Sequence, residues 1–385
     1  MIPYGRQSID QSDIDAVVVT LRSDHLTQGP AVPAFEAAVA GHCGVAHAVA
    51  VNSATSALHL ACLALGVGEG DIVWTSPITF VASANCALYC GASVDFVDIA
   101  PSTYNLSAAA LERKLDGAEK LGRLPKVVIP VHMCGQSCDM AAIHALGRRY
   151  GFRIIEDASH AIGGKYQAMP VGRCKFSDIT VFSFHPVKII TTGEGGMGVT
   201  NDAGLADTMR RLRSHGITRE ADEMTHPPDG PWYYQQLDLG FNYRMTDIQA
   251  ALGTSQMEKL EEFVSARISL ARRYDTLLSE LPLLVPRQHP DALSAWHLYV
   301  IRLDLAACKD SHAGIFQKLR EAGIGVNLHY IPVYLQPYYQ RLGFHQGHCP
   351  EAERYYAEAV SLPMYSGLTE AQQDKVVDTL QRVCR

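Results

Sequence analysis

The side chains able to do chemistry in this sequence gather around one amine. Lys188 stands in SFHPVKIITTGEGGMGVT, just after an apolar run that ends near Phe184. Pro186 discourages a helical continuation. The glycines between 193 and 196 permit a tight turn into the next run. A lysine held over a pocket at a strand end loses solvation, its pKa falls, and its amine becomes a nucleophile for a carbonyl. Taken alone, a loop lysine is more often solvated. Asp157 changes that balance. It closes the apolar run of RIIEDASHA, at the end of a strand where open α/β sheets place their ligands. A carboxylate there can pair with a protonated ring nitrogen, although a helix N-cap would look the same.

Two further stretches belong with these. In NSATSALHL, residues 52–60, a strand ends at Asn52 and small residues open a helix. The free N–H groups and the dipole of such a terminus favour a phosphate, with Ala54 and Thr55 as backbone donors. A plain capping segment has the same composition. Phe80, in SPITFVASAN, opens the next strand-to-helix junction. Its ring could stack on a flat cofactor or sit in the core. The four features fall in order, each at the C-terminal end of an expected strand. Together they supply a phosphate cradle, a stacking ring, a partner for a pyridinium nitrogen and an imine-forming lysine, the set that pyridoxal-phosphate chemistry requires.

The elements that position them alternate. Expected strands at 47–52, 71–76, 93–99, 126–132, 152–158, 178–184 and 196–201 are interleaved with helices such as 54–66 and 80–91. That alternation predicts an α/β fold with a mainly parallel sheet covered on both faces. From about residue 245 the pattern changes to one long helix, a strand at 296–304, a helix at 312–323, a loop at 324–334 and a last helix at 369–383. The expected division is a large domain over 1–250 and a smaller α/β domain over 251–385.

Composition excludes several classes. The chain has 385 residues, 47% of them hydrophobic and 19% charged, with a formal net charge of −7, which fits a soluble protein with a substantial core. It has no basic tract, so no nucleic-acid partner is expected. The first residues lack the pattern of a secretory signal, and no apolar stretch approaches the roughly 18–20 residues of a membrane span. A cytoplasmic location is expected. The ten cysteines are scattered, and Cys134 and Cys138 lack a second pair at zinc spacing, so free thiols and no metal site are expected.

With LTQGPAVPAFE (26–36), NSATSAL, EDASHAIGG, SFHPVKIITTGEGG and GFNYRMTDIQAALG (240–253), the chain resembles the DegT/StrS sugar aminotransferases over nearly its whole length. The resemblance implies the pyridoxal-phosphate-dependent transferase fold of type I. It implies Lys188 as the imine lysine, Asp157 on the pyridine nitrogen, Phe80 over the ring, and Ala54, Thr55 and Ser183 around the phosphate. Asn242 would serve the phosphate of the partner across a homodimer. His160 stands where many relatives have Gln near the 3-hydroxyl of the cofactor, and a structural role there is equally open.

SFHPVKIITTGEGG, RSHGI (213–217) and NLHYIPVY are most similar to the branch of pseudaminic acid biosynthesis. That branch makes UDP-4-amino-4,6-dideoxy-N-acetyl-β-L-altrosamine from UDP-2-acetamido-2,6-dideoxy-β-L-arabino-hexos-4-ulose, with L-glutamate as amino donor. In it, Tyr4, Asp24, His25, Leu26, Thr27, His329, Tyr330, Ile331 and Pro332 match segments that touch the nucleotide sugar. Another UDP- or dTDP-4-keto-6-deoxy sugar, or dehydratase or deaminase chemistry on a similar sugar, is the alternative. Lys188 stands where a related dehydratase branch carries histidine, which favours transamination.

Overall fold

A computed structural model describes residues 1–384, so the last residue of the expected second domain lies outside it. Seven strands form the central sheet: β1 (His47–Val51), β2 (Ile72–Thr75), β3 (Ser93–Phe96), β4 (Val127–Ile129), β5 (Arg153–Asp157), β6 (Ile179–Ser183) and β7 (Gly196–Thr200). Their spatial order is β1-β7-β6-β5-β4-β2-β3. The pairs β2–β3, β2–β4, β4–β5 and β5–β6 are parallel, while β7 runs antiparallel to β1 and β6. Six strands therefore share a direction, and their C-terminal ends line one edge. The inner strands β4 and β6 are buried at every residue, as expected of a sheet covered on both faces.

Each expected strand of this sheet forms, with ends trimmed by one to three residues where turn hydrogen bonds replace the ladder. The helix Ala54–Ala64 follows β1, capped by Ser53, whose side chain accepts from Ser56 N–H. The helix expected from residue 80 begins at Ala82 and is closed by Gly91 at φ 77°. Gly196 matters because β7 passes beneath the start of Ala54–Ala64: a Cβ there would lie 2.5 Å from Ala54 N.

A three-stranded antiparallel sheet (Leu283–Leu284, Tyr299–Leu303, Ala359–Leu362) forms the smaller C-terminal part. Its apolar face packs with residues of the helices Leu260–Leu277, His312–Glu321 and Glu370–Cys384. Ile2 belongs to the same cluster. The single long helix expected after residue 245 is two helices, Asp247–Glu258 and Leu260–Leu277. The break is at Lys259, whose ammonium is drawn to Asp10 at 2.9 Å and Asp13 at 2.6 Å. No helix of the described residues is long and apolar enough to cross a membrane.

Candidate active site

The site is the C-terminal edge of the sheet. Asp157 ends β5 and is 4% exposed. Its Oδ1 accepts from Ser159 N–H at 3.1 Å and Ser159 Oγ at 2.6 Å, and its Oδ2 accepts from Ser83 Oγ at 2.6 Å. Ser83 lies on the helix Ala82–Tyr89 and is also 2.7 Å from Thr79 Oγ1. Three donors thus hold a carboxylate that the strand pushes to the sheet edge. Bonds of this kind, with one charged partner, are about twice as strong as neutral ones.

Lys188 follows β6 in the loop that returns to β7, and its N–H donates to His185 O at 2.9 Å. Burial lowers the pKa of its ammonium to about 8, against the opposing pull of Asp157. On the order of a tenth to a fifth is therefore neutral amine near pH 7, far more than for an ordinary lysine, and that is the state needed for attack on a carbonyl. Ser183 ends β6, buried and paired across to Gly196, so it sits beside the start of Ala54–Ala64. Ala54 and Thr55 are the first two residues of that helix, half-buried, and their N–H groups are among those a helix leaves unpaired.

His160, three residues beyond Asp157, is buried, and its Nε2 is 3.3 Å from Tyr330 Oη. Burial, then Lys188 and His329, hold its pKa well below the ordinary imidazole value, so it is neutral. Tyr330 also faces Phe80, with ring centroids 6.4 Å apart. Phe80 is 59% exposed, so it is not a core residue. His329 is buried, 2.8 Å from Ser361 Oγ through Nδ1, and its ring is 5.3 Å from that of Tyr4. Burial and Lys188 push its pKa down to about 3. Pro332 is buried and Ile331 exposed.

The remaining expected contacts lie apart. Asp24, His25, Leu26 and Thr27 are all exposed; Leu26 O accepts from Asp247 N–H at 3.0 Å, and Thr27 pairs with Thr246. Asn242 is exposed and pairs with Ser214. Among the described residues no hydrogen bond joins these five to Lys188, Asp157 or His160. Sequence reasoning missed Ser83 and Ser159. Ser159 was accessible, since a serine two residues after a strand-end aspartate forms a local turn. Ser83 carried no signal, because its approach to Asp157 depends on how two elements 74 positions apart pack.

A pyridoxal-phosphate group fits these residues. The helix Ala54–Ala64 starts directly against Gly196, Asp157 ends a strand of the same sheet, and the exposed ring of Phe80 faces Tyr330, which contacts His160. His160 Nδ1 is buried without a hydrogen-bond partner among the described residues. Leaving such a group unpaired costs about 1–3 kcal/mol, so a ligand atom is expected against it.

The DegT/DnrJ/EryC1/StrS aminotransferase family profile matches residues 7–381. The chain belongs to that family. It is 38% identical to the spore coat polysaccharide biosynthesis protein SpsC of Bacillus subtilis, over 100% of this chain and 97% of the relative. It is 39% identical to the UDP-4-amino-4,6-dideoxy-N-acetyl-β-L-altrosamine transaminase of Campylobacter jejuni, over 99% and 96% of the two chains. The solved structure of Helicobacter pylori PseC, an aminotransferase involved in the biosynthesis of pseudaminic acid, superposes with a TM-score of 0.89 at 31% identity, covering 100% and 99%. A further neighbour, a putative sugar aminotransferase of Streptococcus pneumoniae, has been solved in PLP-form and PMP-form. As a member of the family this chain is a pyridoxal-phosphate-dependent aminotransferase, and its fold is that of the type I enzymes.

Proposed function

We propose that this aminotransferase moves the amino group of L-glutamate onto C4 of UDP-2-acetamido-2,6-dideoxy-β-L-arabino-hexos-4-ulose, giving UDP-4-amino-4,6-dideoxy-N-acetyl-β-L-altrosamine. The observation that carries the chemistry is the placement of Lys188 and Asp157 at one sheet edge, with the lysine pKa lowered to about 8. The substrate rests on similarity along almost the full chain to the altrosamine transaminase.

When bound, pyridoxal phosphate supplies an aldehyde and a protonated ring that takes up electron density. Lys188 Nζ, as a neutral amine, would hold the cofactor through its aldehyde and, with an amino donor bound, would take up the proton of the donor's α-carbon. In the second half-reaction the same Nζ returns a proton to C4 of the sugar. Asp157 accepts the ring N–H and keeps the positive charge in place. The N–H groups of Ala54 and Thr55, with Ser183, hold the phosphate. Phe80 would pack against the ring, and neutral His160 would offer it a hydrogen-bonding nitrogen. Tyr4, His329, Tyr330, Ile331 and Pro332 line the approach of the nucleotide sugar. Asp24 to Thr27 and Asn242, exposed in one chain, complete the site of the second chain in a homodimer.

The test is a panel of UDP- and dTDP-4-keto sugars offered to the pure enzyme with glutamate. Formation of 2-oxoglutarate in step with aminosugar is expected, with the configuration at C4 and C5 read by NMR. A faster reaction with another keto sugar would reassign the substrate. Keto-sugar consumption without 2-oxoglutarate or aminosugar would replace transamination with dehydratase or deaminase chemistry.

A further inference from the structure

His297 stands outside the expected site, just before the small-sheet strand Tyr299–Leu303. Its ring lies against that of His160, with centroids 4.4 Å apart and planes tilted by 54°. Both residues are buried, and His297 Nδ1, like His160 Nδ1, has no hydrogen-bond partner among the described residues. Burial and the neighbouring positive groups keep both rings neutral.

The backbone under this pair is built for close approach. Gly135, at φ 101°, sits where a Cβ would lie 2.8 Å from Trp296 N, 2.9 Å from His297 N and 3.0 Å from His160 O. Arg267, 1% exposed, donates through one nitrogen to the carbonyls of Trp296 at 3.1 Å, His297 at 3.2 Å and Met364 at 3.0 Å. A buried cation spent on three carbonyls fixes the path of residues 296–297. The ring of His160 is thus held on one side by Tyr330 at 3.3 Å and on the other by His297.

We infer that His297 is a positioning residue: its ring fixes the rotamer of His160, keeps His160 Nε2 against Tyr330 Oη, the contact that sets the tautomer, and so fixes how the free His160 Nδ1 is presented to the bound cofactor. This rests on the reading of His160 as a cofactor neighbour. Through His297 and Arg267 the small C-terminal part of the chain sets the shape of a site carried by the large sheet.

The experiment compares His297→Phe and His297→Gln with the unaltered protein. Two quantities are read: pyridoxal-phosphate affinity of the cofactor-stripped protein, and the ring 15N signals of His160, assigned with His160→Gln. Loss of packing support should weaken cofactor binding by about tenfold or more in His297→Phe, by analogy with other supporting residues. The His160 signals should move toward the mean of the two tautomers. His297→Gln, which restores a polar planar group, should recover most of the affinity and, if His297→Phe fails to fold, must still shift the His160 signals. A folded His297→Phe with unchanged affinity and unchanged His160 signals overturns the inference, as do unmoved signals in His297→Gln. Failure of the unaltered protein to take up pyridoxal phosphate would instead remove the cofactor reading beneath it.

Discussion

Asp157 and Asn242 are both polar side chains assigned to one cofactor, and the structure treats them in opposite ways. Asp157 is buried and held by three donors from two elements. Asn242 is exposed, and among the described residues it is paired through its backbone to Ser214. The floor of the site, with Asp157, Lys188, His160 and Ser183, is assembled within one chain. The rim, with Asp24 to Thr27 and Asn242, is exposed and is tied to its own chain mainly through backbone contacts such as Asp247 N–H to Leu26 O and the bridges Thr27–Thr246 and Asn242–Ser214. Catalytic geometry needs rigid support, so the floor is where bond-making residues belong. The rim suits contacts made only in an assembly.

That contrast can be broken by substitution, beginning with the largest effect. Lys188→Ala should lower turnover by about 10²–10⁴-fold, since it removes the proton carrier. It should also abolish the yellow colour that borohydride fixes in the unaltered enzyme. Persistence of that reducible colour together with turnover would place the reactive amine elsewhere. Asp157→Ala should keep the lysine and lose on the order of 10²-fold in kcat, as when a charge-stabilising group is removed from other sites. Near-normal rates would take Asp157 out of the mechanism.

Smaller effects sharpen the boundary. Ser83→Ala strips one donor from Asp157, and a hydrogen bond to a charged group contributes about 1.5–3 kcal/mol. Its kcat should fall by roughly tenfold with the cofactor still bound. At the rim, Asn242→Ala should change little in assays of dilute protein if it acts only across a dimer, because dilution already separates the chains. At high protein concentration it should weaken cofactor affinity by a few-fold, on the order of one lost hydrogen bond. An unaltered enzyme that is fully active as a monomer would refute the shared site.

The lysine also sets a pH dependence. Its pKa in the folded chain, about 8, lies below the ordinary value of 10.5. Uptake of pyridoxal phosphate by the stripped protein should therefore rise as pH climbs through about 8 and then level off. For stability the sign is the same: between these two values the unfolded chain binds more protons, so the penalty of the buried ammonium is full below pH 8 and disappears as pH rises toward 10.5. An uptake rate that keeps rising to pH 10 would show a solvated amine.

Much of this was legible in the sequence. The strands of the large sheet were readable because buried parallel strands are short, continuous apolar runs, and because small residues follow β1, β2 and β5. Lys188 and Asp157 were readable because strand ends put their side chains at one edge. Ser83 and His297 were not, since each reaches the site through packing between distant elements. The two helices Gln11–Leu21 and Ala31–Cys43 went unassigned, since apolar residues are spread around them with little sidedness. The break at Lys259 was hidden because its acidic partners are far away in sequence. Phe80 had two readings in sequence, a stacking ring or a core residue, and its exposure excludes the second.

One joint between the N-terminus and the C-terminal part of the chain bears on how the chain is made. Ile2 N–H donates to Gly323 O at 2.8 Å, Gly325 N–H to Ile2 O at 2.6 Å, and Met364 N–H to Tyr4 O at 2.9 Å. Residues that leave the ribosome early must therefore wait for partners synthesised more than 300 positions later. The large sheet can assemble first, whereas the C-terminal cluster closes only after release. Contacts this distant in sequence form slowly, so a pulse of proteolysis during synthesis should find the first few residues the last to become protected.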